Sequence, residues 1–94
     1  MDIKHEESPT KGSFYVEVDG KRLAGIFYSK AGPDKIIVEH TDVDDALRGK
    51  NVGKQLVEAV ADHARKNKLK IIPLCPFTKS VFERTGKYDD VWER

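Results

Sequence analysis

The stretch Ala46-Leu47-Arg48-Gly49-Lys50-Asn51-Val52-Gly53-Lys54-Gln55-Leu56 constrains this chain more than any other segment. The β-branched run Ile36-Ile37-Val38 comes shortly before it, and an amphipathic helical pattern follows without a gap. A strand, a glycine-containing loop and a helix start together make an anion-binding corner. Free N–H groups converge at a helix N-terminus, and the helix dipole adds partial positive charge there. Gly49 and Gly53 remove two Cβ atoms from the approach, and Arg48, Lys50 and Lys54 bring cations to it. Such a corner suits a pyrophosphate-bearing cofactor.

Two familiar phosphate loops do not fit. A P-loop requires G-x-x-x-x-G-K-S/T, but Gly49 to Gly53 is one residue short and Gln55 stands where Ser or Thr belongs. The G-x-G-x-x-G dinucleotide spacing is absent as well. Other function classes fall away on composition. A net charge of +1 over 94 residues argues against nucleic acid held by bulk charge. No apolar run approaches the roughly 18 residues of a membrane span. The segment Met1 to Glu7 has no apolar signal-peptide core. The single cysteine cannot form an intramolecular disulfide and fits a reducing, cytoplasmic setting. His5, His40 and His63 are scattered without zinc spacing, so no metal site is expected.

The chain reads as one small domain, residues 13–94, of order β-β-β-α-β-α. Residues 1–12 are polar, carry Pro9 and Gly12, and read as a flexible lead-in. Phe14 to Val18 is rich in β-formers, and Asp19-Gly20 signals a hairpin directly after it. Leu23 to Ser29 makes a second strand, with Gly25 marking a bulge or close approach. Gly32-Pro33-Asp34 turns into a third, Lys35 to Val43, which completes an antiparallel meander. From Gly53 to Lys68, Leu56, Val57, Val60, Ala61 and Ala64 form one apolar helical stripe. Lys70 to Leu74 is a short strand that Pro73 confines to an edge. Pro76 to Arg84 reads as a second helix, and Tyr88 to Trp92 as a final strand or extended tail.

The loop motif R-x-x-N-x-G, Arg48 to Gly53, resembles the Q/R-x-x-G-x-G/A acetyl-CoA signature of the GNAT N-acetyltransferases. Asn51 departs from it, although Asn is among the residues that most readily adopt positive φ. Two further segments carry the resemblance: His40-Thr41-Asp42-Val43 before the loop, and Leu74-Cys75-Pro76-Phe77 after the last strand. Together they resemble the minimal single-domain GNAT type. The resemblance implies a mixed α/β sheet with a splayed strand opening a V-shaped cleft. It implies acetyl-CoA or coenzyme A against Thr41, Asp42, Val43, Arg48, Gly49, Lys50, Asn51, Val52, Gly53 and Lys54. On the other side stand Cys75, Pro76, Phe77, Lys79 and Ser80. It also implies acetyl transfer to an amine. The alternative is a module that binds CoA or acyl-CoA with little catalysis.

Acyl transfer needs a neutral amine, yet an alkyl ammonium titrates near ~10, so a base must take its proton. His40 is the candidate base and Glu39 the next. Strand alternation puts Val38, His40 and Asp42 on one face and Glu39 and Thr41 on the other, which leaves the cleft-facing set open. A free backbone N–H near Thr41 to Val43 is a candidate oxyanion donor. Cys75, at a helix start where the dipole favours thiolate, can donate a proton to departing CoA, carry the acetyl group, or simply pack. Asp19-Gly20-Lys21-Arg22 leaves room only for a hairpin where larger GNAT proteins wall the acceptor with helices. An open site suits a protein lysine, an N-terminus or a polyamine.

Overall fold

Alternation of apolar side chains decides which way the sheet faces. In the computed structural model, which describes residues 2–94, five strands lie in the order β1-β2-β3-β4-β5. They are β1 (Lys4–Glu7), β2 (Lys11–Val18), β3 (Lys21–Lys30), β4 (Lys35–Val43) and β5 (Lys70–Pro73). The first four form an antiparallel meander, and β5 runs parallel to β4. Phe14, Val16, Ala24, Ile26, Tyr28, Ile36, Val38 and Ile71 are buried in one cluster. Helix α1 (Val52–Asn67) lays Leu56, Val57, Val60, Ala61 and Ala64 onto that cluster. Each fully buried Leu or Val contributes roughly 1.5–3 kcal/mol. Lys68, in left-handed conformation at φ 56°, ends α1 and donates its N–H to the Ala64 and Arg65 carbonyls.

Helix α2 (Pro76–Arg84) packs beside α1, adding Val81 and Phe82 to the same core. The opposite side of the sheet is uncovered among the described residues. Tyr15 and Ile37 are half-buried there, and Phe27 is exposed. The β2–β3 hairpin turns on Asp19 and Gly20, both at positive φ (50° and 79°), the twist that a two-residue turn requires. No described helix is long and apolar enough to cross a membrane.

Two readings of the sequence change, and between the two alternatives for Gly25 one is decided. Within the expected lead-in 1–12, Lys4–Glu7 is a strand, with His5 opposite Phe14 and Glu7 opposite Gly12. Its side chains are all exposed, so it shows no apolar alternation. Ion pairs Glu6–Arg22 (2.7 Å), Glu7–Lys30 (3.1 Å) and Lys4–Glu17 (3.1 Å) hold it, and its charge blunts the sheet edge. Gly25 is not at a bulge; a Cβ there would stand 3.1 Å from the Phe27 ring, so it is a close approach. Tyr88 to Trp92 is a turn that ends in a single bridge between Ile71 and Trp92, made by Ile71 N–H to the Val91 carbonyl (2.6 Å) and Glu93 N–H to the Ile71 carbonyl (2.9 Å).

Candidate functional site

The site begins where β5 stops. Pairing between β4 and β5 ends at Val38 opposite Pro73, as a residue without an N–H requires. The chain then turns away, and Cys75 N–H donates to the Val38 carbonyl (2.9 Å). Strand β4 runs on to Val43 with no partner on that side among the described residues, which opens a notch. Asp44 N–H donates to the Leu23 carbonyl (2.7 Å), so by antiparallel alternation residues 44, 42 and 40 turn their backbone groups to β3. Thr41 and Val43 therefore direct their N–H and C=O groups into the notch.

A bulge decides which side chains meet there. The register shifts between Phe27 and Tyr28, leaving Glu39 of β4 without a partner of its own. The expected grouping of Val38 with His40 and Asp42 is corrected by that extra residue. Thr41 and Val43 follow buried Val38 to the helix side, whereas His40 and Asp42 face the uncovered side. Glu39 lies on the uncovered side too, where its Oε1 accepts from the Ser29 hydroxyl (2.8 Å). His40 Nε2 sits 2.9 Å from Asp42 Oδ1, and its ring stacks on Phe27 at 6.0 Å. The Asp42 pairing follows from the alternation that puts His40 and Asp42 on one face, whereas the Phe27 stack depends on the register across the bulge and is not visible in the sequence.

On the helix side, Cys75 caps α2 and its Sγ lies 3.3 Å from Thr41 Oγ1. Burial pushes the thiol pKa up, but hydrogen bonds from the Thr41 hydroxyl and from Thr78 and Phe77 in the first turn of α2 outweigh it. The net pKa is lowered. The Thr78 hydroxyl is fully buried and has no hydrogen-bond partner among the described residues. The sequence reading passed over Thr78; its signal is its place three residues after Cys75, in the first turn of the helix.

A hollow of about 420 Å³ continues from Thr41 and Val43 to Arg48, Gly49, Asn51–Lys54 and Phe77. Gly49 (φ 82°) and Asn51 (φ 61°) are both left-handed, so Asn51 takes the conformation that its departure from the motif required. The N–H groups of Val52, Gly53 and Lys54 fall in the first turn of α1, with no carbonyl one turn earlier to accept them. No acidic residue occupies that turn. Gly53 has ordinary backbone geometry; a Cβ there would stand 2.7 Å from the Phe77 ring, so its role is to let Phe77 lie against the loop. Arg48 is shared with Asp45 (2.8 Å). Lys50, Pro76 and Lys79 are exposed and Ser80 is half-buried, and none of the four lines the hollow. Of the expected cofactor residues, Asp42 is the one carried to the opposite face.

Residues 13–91 match the family of GCN5-related N-acetyltransferases. No curated protein sequence matches the chain. A solution structure of a GCN5-like protein from Staphylococcus aureus is 40% identical, with a TM-score of 0.75 over 98% of this chain and 87% of that one. The ribosomal-protein-alanine N-acetyltransferase of Brucella melitensis shares the fold at 21% identity and a TM-score of 0.67, over 82% of this chain and 62% of its own. Tetrahymena GCN5 does so at 17% identity and a TM-score of 0.66, with 82% of this chain and 51% of that one covered.

Proposed function

The chain belongs to the GCN5-related N-acetyltransferase family, and from that premise we propose that it moves an acetyl group from acetyl-CoA directly to an amine that enters from the uncovered face of the sheet. One observation carries this reading. At the point where β5 departs, β4 turns Thr41 toward the hollow and the adjacent His40 toward the uncovered face.

The loop residues fit a pyrophosphate: two left-handed residues, three first-turn N–H groups and no nearby carboxylate in that turn. Gly49 and Asn51 to Lys54 would hold it, with Arg48 and Lys50 as outer cations. When bound, acetyl-CoA supplies an acetyl group activated as a thioester. His40 Nε2 lies 2.9 Å from Asp42 Oδ1, which leaves Nδ1 as the nitrogen to take a proton from the incoming amine. The N–H groups of Thr41 and Val43, aimed into the notch, donate to the developing oxyanion. Cys75, its thiol made more acidic by Thr41 and the first turn of α2, gives its proton to the departing thiolate. Glu39, on the same face as His40, draws a cationic amine toward the base.

The acceptor side is shallow, because the hairpin at Asp19-Gly20 builds no wall over the sheet. A protein lysine, an N-terminus or a polyamine can reach such a surface. The test pairs calorimetry of CoA binding with acetyl-CoA turnover over a panel of these amines. Binding with amine-dependent CoA release is expected. Binding without release for every amine would instead make the chain an acyl-CoA-binding module.

A further inference from the structure

We infer that His5, Glu7 and His63 form a binding site for a divalent transition-metal ion, about three helical turns along α1 from the phosphate loop. The site lies outside the notch. In the sequence these histidines are far apart, but pairing of β1 with β2 and packing of α1 on the sheet bring them together. One ligand atom from each of the three residues lies within 4.8 Å of the others. His5 and Glu7 are two apart on a strand and so share a face, the spacing by which a strand chelates.

The cluster is held in advance. The Tyr28 hydroxyl lies 2.7 Å from His5 Nε2 and donates to Glu7 Oε2 (2.8 Å), fixing both on one oxygen. The Tyr28 ring fills the place where a side chain at position 12 would stand, which accounts for Gly12. The His5 ring stacks flat on Phe14, with centroids 4.1 Å apart and planes 4° from parallel. The His63 ring meets the His5 ring edge-on at 4.8 Å. His63 Nδ1 is engaged by Asn67 (3.3 Å), while its Nε2 stands 3.8 Å from Glu7 Oε2, beyond hydrogen-bond range. That Nε2 is a ligand atom aimed at a carboxylate it does not bond.

Two imidazoles and one carboxylate are the donor set of three-ligand zinc sites, and imidazole favours zinc, nickel or copper over magnesium or calcium. Tetrahedral zinc, with bonds near ~2.1 Å, sets ligand atoms about 3.4 Å apart. His5 and Glu7, on an exposed edge strand, can close the difference. Asn67 Nδ2 donates to the His63 carbonyl (2.8 Å) and lies 3.3 Å from Nδ1; when Nε2 binds metal, Nδ1 carries the proton, and the amide gives up that carbonyl bond to turn its oxygen to it. Lys30, 3.1 Å from Glu7 Oε1, is the competing cation.

The experiment uses tag-free protein, so that no added histidines contribute, and reads ZnCl₂ binding by calorimetry and by melting temperature, with MgCl₂ as control. One zinc ion per chain is expected, with a melting temperature raised by zinc and not by magnesium. His5→Ala should weaken zinc binding roughly tenfold or more, as should His63→Gln. Lys30→Met should tighten it, and Cys75→Ala should leave it unchanged. Circular dichroism checks that each variant is folded. Zinc affinity unchanged in both His5→Ala and His63→Gln, no zinc binding, or an equal response to magnesium would overturn the site. The readout involves no acetyl-CoA, so its failure leaves the proposed acetyl transfer standing, and the reverse holds too.

Discussion

His40 and Cys75 flank β4 from opposite sides, and the proposal gives them different tasks. His40→Ala should lower kcat by roughly 10²–10⁴-fold with CoA affinity little changed, since its side chain is on the face away from the hollow. Steady-state kinetics with CoA calorimetry checks this. Cys75→Ser keeps a proton donor and Cys75→Ala does not. Rates near wild type for Ser and slow for Ala are expected from the proton-donor role; one acetyl mass on Cys75 after incubation with acetyl-CoA would instead identify a carrier. Gly53→Val should weaken CoA binding, measured by calorimetry, because the new side chain drives the Phe77 ring off the loop and into the hollow. Most residues of the site were legible in the sequence, because loop, histidine and cysteine sit in motifs. Their facing was not, since one unpaired residue at Glu39 inverts the alternation that a regular strand would have.

At the scale of elements, α1 was legible from its apolar stripe and β4 from its branched residues, while β1 was not. A strand of four polar, exposed residues carries no hydrophobic period, and its ion pairs join it to residues distant in the chain. The segment after α2 was equally hidden, because α1 holds it through polar groups. The Tyr88 hydroxyl donates to Glu58, and Arg65 binds Asp90 (2.7 Å) and the Lys87 carbonyl (2.7 Å). The Tyr88 hydrogen bond holds Glu58 below its ordinary value, against the effect of burial, with Lys87 and Arg65 assisting. Arg65 does the same for Asp90, again against burial. A carboxylate whose pKa is depressed by folding stabilises the fold above its unfolded value, and that stability is lost as pH falls through the folded one. Melting temperature should therefore decline as pH drops below about 4.5, the ordinary value for Glu58. Glu58→Gln combined with Asp90→Asn should flatten part of that decline in melts recorded between neutral pH and acid.

For the whole molecule, the consequential feature is a sheet with both helices on one side. The hollow and the candidate phosphate loop lie on the helix side and the proposed base on the bare side, so under the proposal donor and acceptor would approach from opposite faces and meet at the notch. Two-faced entry follows from where β5 ends and from which way β4 is turned, neither of which a motif records. Amide chemical shifts read it most directly, with acetyl-CoA titrated first and a lysine peptide second. The first addition should move Thr41, Val43, Gly49 and Asn51 to Lys54, and the second should move Phe27, Glu39 and His40. An acetyl-CoA response that misses the loop, or a peptide response confined to the helix side, would contradict the account.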